Sequence, residues 1–300
     1  MEPTSEPRSI IAITTGDPAG IGPEVAAAAL ASGRLAPAFA YRLVGDSAGF
    51  TLGQPTLASA RAALAAMEEA ARLTAAGEVC AVVTGPVSKA RMHDVGFPFP
   101  GQTEFFADRW GTRDFAMCLT GGQLTVALVT AHVPLKDVPG LLTGAEIVRV
   151  GRLLERFLRL RLGRAPRLAV AGLNPHAGEN GDLGREEIEL ISPALRDLPG
   201  CQGPLSPDTV FCRAVEGEFD GVLCMYHDQG LIPLKLHAFD QGVNVTLGLP
   251  WPRTSPDHGT AFDIAGKGLA RPDSTIAAIN LAAEMVRKQR RSRWEEEAAR

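Results

Sequence analysis

Residues 9–31 read SIIAITTGDPAGIGPEVAAAALA, and this stretch decides the fold class. Ser9 to Thr14 is a short apolar run of the kind that forms a buried strand. The glycines and Pro18 break it, and Pro23 and Glu24 open a helix that the alanines after Val25 carry. Strand, turn and helix in so short a span form the repeating unit of an α/β protein whose sheet is at least partly parallel. Working outward, β-rich runs recur at Tyr41–Val44, Val79–Thr84, Leu124–Thr130, Arg167–Ala171 and Gly221–Met225. Between them, Thr56–Ala76 and Ala145–Leu162 place apolar residues at helical spacing, the second with a row of arginines on its wet face. There is no internal repeat and no low-complexity linker.

With 300 residues, 45% hydrophobic and 21% charged, the chain can bury one large core or two modest ones. A net charge of -4 offers no basic field to a nucleic acid or an anionic membrane, so neither is an expected partner. The opening MEPTSEPRSI has no apolar stretch of signal-peptide length, and no run approaches the ~18 apolar residues of a membrane span, so the expected location is cytoplasmic. Five cysteines, Cys80, Cys118, Cys201, Cys212 and Cys224, are scattered without a CxxC pair and read as reduced thiols, mostly buried. The charged carboxyl-terminal stretch reads as a fraying helix extension or a partner-binding tail.

Three of the six histidines fall just past the carboxyl ends of strand-like runs: His132 after LTVALVTA, His176 after RLAVAGLNP and His227 after GVLCMY. In open α/β sheets that edge is where loops converge on a ligand. A single histidine there is most simply a hydrogen-bonded loop residue. Three at equivalent places suit a site for zinc, cobalt, nickel, iron or manganese with positions left open for substrate oxygens, whereas magnesium prefers carboxylates and water. Asp228 follows His227, and Lys235 lies in the same segment, HDQGLIPLK, read here as passing from loop to strand. A cation beside a metal is a natural acid or oxyanion partner. Asp208, in SPDTVF, is either such a site acid or an early-helix acid favoured by the dipole.

TGDPAGIGPE is neither GxGxxG nor GxxxxGK[ST], so the Rossmann fingerprint and the P-loop are both absent. A tight turn explains its glycines, and the helix start could also meet an anion. Gly242–Gly268, GVNVTLGLPWPRTSPDHGTAFDIAGKG, is so dense in glycine and proline that it reads as one long functional loop. Arg253 within it is suited to clamp a carboxylate or phosphate at two points, and His258, Gly259, Asp263 and Lys267 are placed to line a pocket.

Taken together, TTGDPAGIGPEV, VTGPVSKA, GQTEFFAD, TAHVPLKDV, LNPHAGENGDLG, GPLSPDTVF, MYHDQGLIPLK and the Gly242–Gly268 segment resemble the 4-hydroxythreonine-4-phosphate dehydrogenase family over nearly the whole chain. DHGTAFDIAGKG is also similar to the adenosine-binding loop of the isocitrate and isopropylmalate dehydrogenases. The resemblance implies two α/β/α domains of that type with the active site in the interdomain cleft. It suggests a cofactor-side domain of about residues 1–122 plus 252–300 and a metal, substrate and dimerisation domain of about 123–251. It implies a homodimer with a divalent metal (Zn, Co, Mn or Mg) near the interface, bound by His132, His176 and His227 shared across the dimer. It also assigns substrate contacts to Thr103, Lys235, Asn244 and Arg253, cleft acids to Asp208 and Asp228, and NAD or NADP contacts to His258, Gly259, Asp263 and Gly266. One departure stands out: the family's loop usually reads GHTEFF, and here Gln102 replaces the histidine. Gln102 can donate a hydrogen bond to a phosphate but cannot carry a proton or a charge.

The implied reaction is oxidation of 4-phosphohydroxy-L-threonine to a β-keto acid that loses carbon dioxide, in pyridoxal phosphate biosynthesis. The metal would polarise the hydroxyl, and Lys235 would act as the acid. Relatives acting on 4-phospho-D-threonate or 4-phospho-D-erythronate, and a branch acting on cyclic dihydrodiol carboxylates, supply alternative substrates. Acyl transfer to phosphate on the same fold, or a non-catalytic sugar-phosphate sensor, supplies alternative classes.

Overall fold

A computed structural model describes residues 9–298. The start of the chain read above for a signal peptide, the last two residues of the charged tail, and the tail side chains at 293 and 295–298 lie outside the described residues. The chain divides into two compact units, Met1–Arg113 with Leu249–Arg300, and Asp114–Gly248.

The first unit carries β1 (Ser9–Thr14), α1 (Gly22–Ala31), β2 (Phe39–Val44), α2 (Leu57–Ala75), β3 (Ala81–Val83), α3 (Lys89–Asp94), α4 (Gln102–Arg109), β10 (Arg253–Pro256) and α10 (Asp273–Ala298). Its strands run β2-β1-β3-β10, all parallel. Successive residues of a strand point to opposite faces, and β1 shows what each face meets. Ala12 packs with Met67, Ala70, Phe105 and Phe106 of α2 and α4, whereas Ile13 faces Val25 and Ala26 of α1 and Thr275 of α10. Helices therefore cover both faces. Phe105 and Phe106 are fully buried, each contributing roughly 1.5–3 kcal/mol of apolar burial. α2 starts where Thr56 accepts from the Ser59 amide and Ser59 accepts from the Thr56 amide, a reciprocal cap that satisfies two otherwise orphaned donors.

The second unit holds β4 (Ala116–Gly121), β5 (Leu124–Leu128), α5 (Val138–Leu141), α6 (Gly144–Leu162), β6 (Leu168–Ala171), α7 (Ser192–Leu195), β7 (Cys201–Leu205), α8 (Val210–Val215), β8 (Gly221–Cys224), α9 (His227–Ala238) and β9 (Val243–Leu247). Its strand order is β9-β4-β5-β8-β6-β7. β4 is antiparallel to both neighbours, and the rest are parallel. Val222 and Cys224 of β8 pack with α8 and α9, while Gly221, on the other face, leaves room for Leu158 of α6. This unit too is layered α/β/α. α6 begins at the Thr143 cap and ends at Gly163, whose φ of 70° is the left-handed stop that glycine permits.

Several expectations change. Gly242–Gly268 is not one loop: Val243–Leu247 pairs with β4 and Arg253–Thr254 pairs with β3, so the irregular parts are the short link at 248–252 and the stretch after Pro256. The flanking glycines and prolines had masked two short strands. HDQGLIPLK is helix, not loop to strand, with Pro233 tolerated inside α9. β4 and β7 also escaped the sequence reading, the latter because Cys201–Leu205 is a half-exposed edge without an apolar run. By contacts the units divide at 113/114 and 248/249, with β4 hydrogen-bonded between β5 and β9. The cysteines are free, Cys118 and Cys224 buried and Cys212 exposed.

Candidate active site

In the first unit the β1–α1 turn is formed by Gly16, which takes φ +70° and approaches the Pro86 carbonyl so closely that a Cβ would lie 2.3 Å from it. Three of the expected substrate residues come together next to this turn. Arg253, 3% exposed, donates from Nη2 to Thr84 Oγ1 at 2.5 Å and to Gln102 Oε1 at 2.9 Å, and from Nη1 to Thr103 Oγ1 at 3.5 Å. Gln102 in turn donates from Nε2 to the Gly85 carbonyl at 3.0 Å. Burial pulls the guanidinium down to about 10, with Glu104 acting in the opposite direction, so it stays charged at neutral pH. α4 starts immediately here, with Gly101 as N-cap and no side-chain cap on its first amides. A buried cation, a hydroxyl and an uncapped helix start together suit a phosphate or carboxylate.

The expected cofactor residues lie on the irregular stretch between β10 and α10, and that stretch is fastened at several points. The Ile21 amide donates to the Thr260 carbonyl at 2.9 Å, the Gly266 amide to Glu24 Oε2 at 3.1 Å, and the Asp257 amide to Ser274 Oγ at 3.0 Å. Ile21 and Val25 pack against Ala265, Ala261 and Ile264. Gly259, Asp263 and Gly266 are left exposed on the fastened loop, a surface on which a dinucleotide can lie. His258 is half-buried between the Gly259 carbonyl and Thr275 Oγ1.

Burial holds the His258 imidazole below its ordinary value of 6.5, with the Gly259 carbonyl and Asp257 acting the other way. As the pH falls below 6.5 the unfolded chain takes up this proton before the folded one, so stability is full above that pH and declines beneath it. His258→Gln is expected to flatten the fall in thermal midpoint between about pH 7.5 and about pH 5.5. A slope identical to the parent's would show that another group titrates.

In the second unit the parallel pairing of β5 with β8 continues through Val129 and Thr130, which hydrogen-bond the Cys224 and Met225 carbonyls. The ends of the two strands therefore stay side by side, and the rings of His132 and His227 stand 5.5 Å apart. Asp228 Oδ1 is 2.7 Å from His227 Nδ1. A carboxylate on one ring nitrogen fixes the tautomer and leaves Nε2 available to a metal. This donor set fits a divalent ion, although among the described residues no three His, Cys, Asp or Glu side chains stand close enough in one chain to hold it. His176 is elsewhere, with Nδ1 3.9 Å from Asp208 Oδ2. The Ser206 hydroxyl holds the Asp208 carboxyl below the usual range. Helix α8 begins at Val210, so Asp208 precedes it.

His176 occupies an unusual backbone. His176 through Asn180 all take φ between 44° and 82°, a left-handed turn in which only Gly178 is a glycine. The sequence reading missed what holds it: Glu187, 2% exposed, accepts from the Leu173 and Asn174 amides at 2.7 and 2.8 Å and from Asn174 Nδ2 at 3.0 Å. Gln229, also missed, ties the end of β8 to the end of β6 by accepting from the Met225 amide and donating to the Gly172 carbonyl. Gln229 lies within MYHDQGLIPLK and Glu187 three residues past LNPHAGENGDLG, and no local feature marks either as buried. On α9, Asp228 and Lys235 are seven residues apart and so share a face with Ile232, Leu236 and Phe239, which are 66%, 88% and 67% exposed. Asn244 on β9 has a buried amide oxygen without a hydrogen-bond partner.

A family model described as the pyridoxal phosphate biosynthetic protein PdxA matches residues 24–282. The chain is 43% identical to the 4-hydroxythreonine-4-phosphate dehydrogenase of Geobacter metallireducens, over 95% of this chain and 97% of that one. Among solved structures, the 4-hydroxythreonine-4-phosphate dehydrogenase of Klebsiella pneumoniae has a TM-score of 0.78 at 37% identity, covering 93% of this chain and 99% of that one. A β-decarboxylating dehydrogenase of Thermococcus kodakarensis (TM-score 0.51, 18% identity, 91% and 81% covered) shares the fold alone. So does a branched-chain phosphotransacylase of Enterococcus faecalis (0.58, 12%, 92% and 99%).

Proposed function

This chain belongs to the family of the pyridoxal phosphate biosynthetic protein PdxA, and from that membership we propose that it is a 4-hydroxythreonine-4-phosphate dehydrogenase. It oxidises the hydroxyl of 4-phosphohydroxy-L-threonine to a β-keto acid, which loses carbon dioxide to give 3-amino-2-oxopropyl phosphate. The observation that carries the reading is the buried Arg253 guanidinium shared by Thr84, Gln102 and Thr103 at the start of α4, an arrangement suited to a phosphorylated substrate.

Held there, the substrate has its anionic end fixed, which limits the rotations available to the reacting carbon. His132, His176 and His227 are the residues assigned to a divalent ion, and Asp228 orients His227. With three histidines not gathered in one chain, the reading takes the ligands as shared within a homodimer, and the apolar stripe of Ile232, Leu236 and Phe239 around Lys235 supports a covering partner. Bound there, the ion would supply Lewis-acid stabilisation of charge on a substrate oxygen, and the His258–Gly266 loop would hold NAD or NADP, which would supply the hydride acceptor. Lys235 donates the proton that the carbon skeleton needs as carbon dioxide leaves, and Asn244 with its open amide oxygen accepts a substrate donor.

Gln102 supports a second reading, in which 4-phospho-D-threonate or 4-phospho-D-erythronate is the substrate, since the family's usual histidine is absent. Phosphotransacylases share the fold, so fold does not choose the reaction class, and the histidines and the His258–Gly266 loop favour oxidation. The test is absorbance of reduced nicotinamide with NAD or NADP, a divalent metal and each of the three phosphorylated acids. Chelator-sensitive reduction with 4-phosphohydroxy-L-threonine is expected. Reduction with only the threonate or the erythronate transfers the assignment to the second reading.

A further inference from the structure

Gln102 is held at both ends. Its Oε1 accepts from Arg253 Nη2 at 2.9 Å and its Nε2 donates to the Gly85 carbonyl at 3.0 Å. Turning the amide over would press NH₂ against the guanidinium and oxygen against a carbonyl, so both partners choose the same orientation. The second Nη2 hydrogen is taken by Thr84 Oγ1 at 2.5 Å. Nη1 lies on the side of Thr103, its Oγ1 3.5 Å away. Guanidinium geometry is planar and forked, so whatever sets the direction of one edge sets the other.

We propose that Gln102 is a positioning residue: it acts on the substrate through Arg253, by clamping Nη2 between itself and Thr84 and thereby aiming Nη1 at the anion. This rests on the proposed substrate reading and goes beyond it, because position 102 then works through a neutral amide strung between Gly85 and Arg253 rather than through a charge of its own. The neighbouring charges are Arg253 on β10 and Glu104 on α4, and the amide contacts the former without adding to either.

The test is a double-mutant cycle of Gln102→Ala with Arg253→Lys on the metal-loaded enzyme. Turnover is followed with 4-phosphohydroxy-L-threonine, and affinity for the same compound is followed by calorimetry without nicotinamide. Gln102→Ala alone is expected to raise KM and Kd together by about 5- to 100-fold, with kcat changed much less, as befits contacting residues. In the Arg253→Lys background the same change is expected to add only about twofold, because the forked edge it aims is gone. Gln102→Met, which keeps the length and loses both polar ends, repeats the test should the alanine variant fold poorly. Equal losses in both backgrounds overturn the inference and make Gln102 a direct substrate contact. No change in KM or Kd from Arg253→Lys instead sinks the substrate reading beneath it.

Discussion

Arg253→Ala is expected to lower kcat/KM for the phosphorylated substrate by about thirty-fold to a few thousand-fold, the range for losing a buried charge that meets an opposite charge (~2–5 kcal/mol). The loss should fall mainly on KM, because the proposed role of the guanidinium is to fix the anionic end rather than the reacting carbon. The folded state also suffers. Thr84 and Gln102 lose the donor that satisfies them, and Glu104 loses its compensating cation. Each buried acceptor left unmade costs about 1–3 kcal/mol, so a lowered thermal midpoint accompanies the kinetic loss. Arg253→Lys separates the two effects. It keeps a cation in the pocket but not the fork, and is expected to recover much of the stability and only part of the affinity. Wild-type KM in the alanine variant, with the protein folded, would remove the anion subsite from the mechanism.

Loss of a histidine proposed to bind the metal should be as severe. His227→Ala and His176→Ala are each expected to cut turnover by about a thousandfold or more, the scale of several kcal/mol of Lewis-acid assistance, while nicotinamide affinity is largely kept. Metal content of the purified variants, measured by elemental analysis, should fall in parallel. Asp228→Asn is the milder probe. It keeps a hydrogen-bond partner near His227 Nδ1 but loses the charge, so metal affinity should fall about 10- to 100-fold with activity restored by excess ion. Full activity of His176→Ala after exhaustive chelation would sink the metal assignment.

Much of this could be read in the residues themselves. SIIAIT is a buried strand in the structure over the same residues, and the helices at 57–75 and 144–162 differ from the sequence reading only at their ends. Those elements were legible because period and burial are local properties. The misreadings share a cause in the other direction. Arg253–Pro256 is strand because strands such as β3 lie beside it to supply partners, and HDQGLIPLK is helix although Pro233 and Gly230 weaken helical propensity. Packing of Leu231 and Leu234 into the core outweighs that weakness.

The same division runs through the site. The sequence by itself determined which groups are available: imidazoles just past strand ends, an arginine in a proline-flanked stretch, and an amide at position 102. Chemistry of that kind is carried by single residues and needs no partner to be recognised. Tertiary structure alone decided which of them meet. The parallel register that sets Leu128 beside Cys224 brings His132 to His227, and a buried glutamate holds the left-handed turn under His176. The hydrogen bond from Arg253 to Gln102 spans 151 residues of chain. Contacts at such separations depend on strand pairing and on the burial that makes each polar group seek a partner, and neither is encoded within a local window.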